Sequence, residues 1–76
     1  MKKEHFLHQL QEELEFEETL FLDTELTKTN EWDSMGAMVL LSFVATNFDV
    51  ILTASDLKSI TTMDSLIDLI GSEKFD

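Results

Sequence analysis

The amino-acid sequence predicts an all-α protein: a small antiparallel four-helix bundle with a long loop between helices 1 and 2 and a short third helix. Three observations predict it. The 76 residues make a single domain, residues 1–76, and 43% of them are hydrophobic, enough for one thin core. There is no Pro and only two Gly, Gly36 and Gly71, too few turn residues for a set of β-hairpins. Apolar residues recur at helical spacing in separate stretches of the chain.

Helix 1 is expected from about Lys2 to Glu15. Leu7, Leu10 and Leu14 fall on one face, Phe6 widens the stripe, and Gln9, Gln11, Glu12 and Glu13 form the wet side. From Phe16 to Asp33 there is no clean period. Leu20, Leu22 and Leu26 are spaced as anchors for a long loop, and Asp23, Thr24, Thr27, Thr29 and Asn30 favour turns. Helix 2 is expected to start at Ser34, with Asp33 as its N-cap, and to end near Phe48. Its buried ridge is expected to be Leu40, Leu41, Val44 and Phe48. Val50-Ile51-Leu52 reads as a buried connection, since a lone strand would have no partner. A short helix 3 follows Thr53, whose spacing to Asp56 suits a capping box. Helix 4 is expected from about Met63 to Gly71. Thr61 and Asp64 have capping-box spacing at its start, Met63, Leu66, Ile67 and Ile70 share one face, and Gly71 closes it.

Charge narrows the function. Sixteen acidic residues against five basic ones leave a formal net charge of -11. That opposes nucleic-acid binding, where phosphates call for Lys and Arg, and favours basic partners. No Cys is present, so neither a disulfide nor a Cys-based metal site can form. Met1-Lys2-Lys3 leads into an acidic, polar stretch and no apolar run reaches spanning length. The expectation is therefore no signal peptide, no membrane span, a cytoplasmic setting and a monomer.

The chemistry concentrates in Trp32-Asp33-Ser34-Met35-Gly36. A serine stands at a loop-to-helix junction, an Asp precedes it, and apolar residues follow on the next turns. A helix start presents unpaired N–H groups and the positive end of the helix dipole, which would stabilise a phosphodiester on that serine. Ser and Asp are also common N-caps that need no cofactor, so the local motif alone does not decide the matter.

From Phe6 to about Ile70 the chain resembles the acyl carrier protein family. The resemblance is carried by Asp33-Ser34-Met35 opening the second helix, Phe48-Asp49 near its end, and Asp56-Leu57-Lys58-Ser59-Ile60-Thr61-Thr62 running into Met63 and the last helix. It implies that Ser34 receives 4′-phosphopantetheine from coenzyme A through a phosphopantetheinyl transferase. It also implies that Asp33 helps to position the serine and the transferase's metal. The thiol of the arm would then carry acyl groups as thioesters between partners: a loading ligase or synthetase and an acyl transferase or synthase. The protein itself would catalyse nothing.

The chain departs from fatty-acid-synthesis carriers in helix 2, whose exposed face is usually acidic in that family. Here no charged residue occurs from Ser34 through Phe48, and the acids lie mainly in the first half, including Glu12, Glu13, Glu15, Glu17 and Glu18. Met35, Met38 and Val39 are therefore expected to form an adaptable apolar patch that meets partners. A carrier dedicated to a specialised pathway fits this better than a housekeeping one. Asp33-Ser34-Met35-Gly36 also resembles aminoacyl, D-alanyl-type carriers, and a peptidyl carrier is a related alternative.

Three other classes fit less well. A serine hydrolase would need a Gly-x-Ser-x-Gly elbow, but Trp32 stands at the first Gly, and the only histidines, His5 and His8, lie on helix 1. A Ca²⁺ loop built from Asp23, Glu25 and Glu31 fails because Lys28 occupies the position that requires Gly. An acidic interaction module without a prosthetic group would spread its acids along one face, and it leaves Trp32-Asp33-Ser34 without a role.

Overall fold

The computed structural model describes residues 1–75. Four α-helices occur in order: α1 Lys3–Leu14, α2 Ser34–Phe48, α3 Ala54–Ser59 and α4 Met63–Ile70, and no strand occurs among the described residues. Single 3-10 turns cover Leu26–Lys28 and Ser72–Lys74. The chain is compact, with principal extents of 30 × 24 × 20 Å.

Local chemistry sets each boundary. At the end of α1, Glu15 turns left-handed at φ 58°. The Phe16 N–H reaches back to the Gln11 carbonyl and the Glu15 N–H to that of Glu12, both at 3.1 Å, a Schellman closure that drops Phe16 into the core. Asp49 ends α2 in the same backbone region, its N–H donating to the Ala45 carbonyl at 3.1 Å. Both are non-Gly residues at positive φ, which Asp tolerates better than most. The Thr53–Asp56 capping box at α3 forms as expected. At α4 the box lies one residue later than the Thr61–Asp64 spacing suggested: Thr62 is the N-cap and Ser65 its reciprocal partner. Gly71 closes α4 as expected, at φ 121° and with its N–H on the Ile67 carbonyl.

Helices of six and eight residues do not hold themselves together in water, so burial decides. Met63, Leu66, Ile67 and Ile70 are all buried, each contributing about 1.5–3 kcal/mol by leaving water. They join Phe6, Leu7 and Leu10 of α1 and Leu40, Phe43, Val44 and Phe48 of α2. Phe43 replaces Leu41 in the expected ridge; Leu41 is only half-buried. The ring of Phe6 lies 5.8, 5.6 and 5.3 Å from those of Phe43, Phe48 and Phe75. Phe75 packs its ring on Phe6 of α1 and Phe48 of α2, and Lys74 Nζ approaches the Phe48 carbonyl at 3.5 Å, a cation at a helix C-terminus.

Two loop expectations are corrected. Leu20 and Leu26 anchor the 15–33 connection, but the Leu22 side chain is exposed and that residue acts through its carbonyl instead. The Val50–Leu52 connection is not buried throughout: Val50 and Leu52 pack against the core while Ile51 is 83% exposed, because an extended segment must turn alternate side chains outward.

Candidate functional site

Ser34 is the first residue of α2, and Asp33 precedes it in extended conformation as the N-cap. The Asp33 carboxylate accepts the Gly36 N–H at 2.8 Å, and its main-chain carbonyl accepts the Ala37 N–H at 3.1 Å. This cap satisfies the third N–H of α2 and leaves those of Ser34 and Met35 at the helix terminus, where no turn precedes them to provide partners. Both Asp33 and Ser34 are exposed. The Ser34 hydroxyl makes no hydrogen bond among the described residues. No acidic residue lies in the first turn of α2, so the helix dipole there is offset by the cap alone.

The 15–33 connection that delivers Ser34 is tied down along its length. The Glu17 N–H donates to the Glu31 carboxylate at 3.0 Å, the Leu20 N–H to the Gln11 side chain at 3.2 Å, and the Phe21 N–H to the Thr24 hydroxyl at 2.9 Å. Its carbonyls at Leu22 and Thr24 accept the Asp64 and Met63 N–H groups at 2.8 and 2.9 Å. Trp32 is half-buried against the core beside Gly36, where an added Cβ would sit 3.5 Å from the indole.

Met35, Met38 and Val39 come together on one face of α2. The two methionines are 72% and 70% exposed, and Val39 is half-buried. They line one side of an open groove of about 620 Å³ whose other side is formed by Gln9, Glu12 and Glu13 of α1. Periodicity within α2 does not show this arrangement, because it arises from the packing of α1 on α2. The uncharged helix therefore borders two carboxylates that belong to its neighbour.

Both histidines are on α1 and exposed, with His8 Nε2 3.0 Å from the Glu12 carboxylate at the groove rim. No helix among the described residues is long and apolar enough to cross a membrane. Compared with known proteins, the chain matches no family model, no curated protein and no solved structure.

Proposed function

We propose that the chain is a carrier protein that bears 4′-phosphopantetheine on Ser34 and shuttles thioester-bound acyl groups between partner enzymes, in a specialised pathway. The observation that carries this reading is the exposed Ser34 hydroxyl, without a hydrogen bond among the described residues, at a helix start with two N–H groups available. That environment suits a phosphodiester: the amides and the dipole face the negative charge, and the neighbouring carboxylate is engaged by Gly36. The antiparallel order of the four helices belongs to the same proposal, as does a cytoplasmic monomer.

Ser34 Oγ forms the phosphodiester with the pantetheine phosphate of coenzyme A, and the nucleoside bisphosphate half of coenzyme A leaves. Asp33 holds the helix start in register, so the hydroxyl projects from a rigid turn rather than from a fraying end. Its carboxylate oxygen not used by Gly36 is available to the metal of the transferase. Once attached, the arm supplies a terminal thiol for acyl or aminoacyl cargo. The chain contributes presentation and recognition, and its partners do the chemistry.

The test is an intact mass after incubation with coenzyme A, Mg²⁺ and a promiscuous phosphopantetheinyl transferase. A gain of one phosphopantetheinyl unit, absent in Ser34→Ala, is expected. No gain under conditions that modify a control carrier would remove the proposal.

A further inference from the structure

The α1–α2 groove starts at the residue after Ser34 and runs along α2 from Met35 to Asn47. Twelve residues of rise make it roughly 18 Å long, about three helical turns. Its α2 side is apolar and flexible at the Ser34 end through Met35, Met38 and Val39 and turns polar at Ser42, Thr46 and Asn47, and its α1 rim carries Glu12 and Glu13. No basic residue lines it. Glu12 adjoins His8, whereas among the described residues no cation lies within salt-bridge range of Glu13.

We infer that this groove receives a basic amphipathic helix of a partner protein, with apolar side chains against Met35, Met38 and Val39 and Lys or Arg against Glu12 and Glu13. It deepens the carrier reading and rests on it for the partner's identity as an enzyme that loads or unloads the arm. Charge complementarity selects this occupant. A second copy meeting the groove isologously would bring Glu12 and Glu13 near their own equivalents, in a chain of net charge -11. Nucleic acid and an anionic membrane surface carry the same disfavoured sign. A small apolar ligand needs most of its surface enclosed, and this groove is open. An open groove with an apolar stretch at Met35, Met38 and Val39 and an acidic α1 rim matches the two faces of an amphipathic helix laid into it, and methionine side chains reshape to whatever apolar residues arrive.

The experiment titrates the isotope-labelled full chain with a designed 18-residue peptide carrying Leu on one helical face and Lys on the other. A scrambled peptide of equal composition serves as reference. Amide shifts are expected to concentrate on residues 9–13 and 35–47, with the scrambled peptide binding about tenfold more weakly. Glu12→Gln with Glu13→Gln should weaken binding about three- to tenfold and flatten its salt dependence, as expected for two surface charges. Val39→Glu should weaken it as well. If that variant unfolds, Met35→Ser with Met38→Ser, both at exposed positions, replaces it. Shifts spread over the whole acidic surface, equal binding of the scrambled peptide, or wild-type affinity in the double Gln variant would each overturn the inference. Ser34 modification is read separately by mass. Peptide docking lost while Ser34 is still modified removes the groove proposal alone; docking retained with Ser34 refractory removes the carrier reading alone.

Discussion

At the start of α4 every early amide has a partner. The Met63 and Asp64 N–H groups donate to loop carbonyls at 2.9 and 2.8 Å, and the Ser65 N–H donates to the Thr62 hydroxyl at 3.2 Å. The Ser65 hydroxyl is fully engaged too: it donates to the Thr62 carbonyl at 2.6 Å and accepts the Thr61 and Thr62 amides, each at 2.9 Å. At the start of α2 the third amide is capped by Asp33, and the exposed Ser34 has no hydrogen-bond partner for its hydroxyl or its main-chain N–H among the described residues. Both helices open on a good capping residue followed within two positions by Met. One start is closed into the core, and the other is left chemically available. The difference teaches that a helix start becomes a candidate site through what the rest of the chain does not do to it.

The two methionines should separate the regions most strongly. Met63 is fully buried, so Met63→Ala should cost about 2–5 kcal/mol, read as a fall in the urea midpoint. Met35→Ala, on the exposed face, should stay within about 0.5 kcal/mol of wild type. Equal losses would mean that the start of α2 is as closed as that of α4.

The caps come next. Thr62→Ala and Asp33→Ala should each cost about 1 kcal/mol, since each removes a side-chain acceptor from a helix N–H. Asp33→Asn sharpens the contrast, because Asn caps as well as Asp. Stability should hold while modification of Ser34 slows, measured as the rate of mass gain. An unchanged rate would assign Asp33 to capping alone.

The smallest effect distinguishes the glycines. Gly36 has helical backbone, and a Cβ there would meet its nearest neighbours at 3.5 Å, an ordinary contact. Gly36→Ala should therefore stabilise by about 0.5–1 kcal/mol. Gly71, at φ 121° with a Glu73 oxygen 2.7 Å from the position of an added Cβ, should lose stability on the same change. Thermal melting of the two variants checks the opposite signs.

Much of this was legible from residue spacing, because capping and periodicity are local. The Asp33 cap, the Thr53–Asp56 box, the Met63–Ile70 stripe and the Gly71 closure each depend on residues within a few positions of one another. Spacing alone does not place the cap of α4, because Thr61–Asp64 and Thr62–Ser65 share the same spacing and only the second pair forms the box. Burial in α2 is harder to read, since an uncharged helix with apolar residues on both its exposed and its inner side marks the inner face weakly; Phe43 is buried because α1 covers it. Phe75 follows no period and joins the core through Phe6 and Phe48. Carbonyls carry no sequence signature, so the part that Leu22 and Thr24 play at α4 is visible only in three dimensions. The same holds for the carboxylates that α1 places beside the uncharged face of α2.

The chain has six serines, and Ser34 and Ser65 mark the open and closed helix starts. The most direct measurement is therefore peptide-level mass mapping of the wild-type chain after incubation with coenzyme A, Mg²⁺ and a phosphopantetheinyl transferase. All of the added phosphopantetheine should map to Ser34 and none to the other five serines. An unmodified Ser34, or an arm on any other serine, would contradict the account.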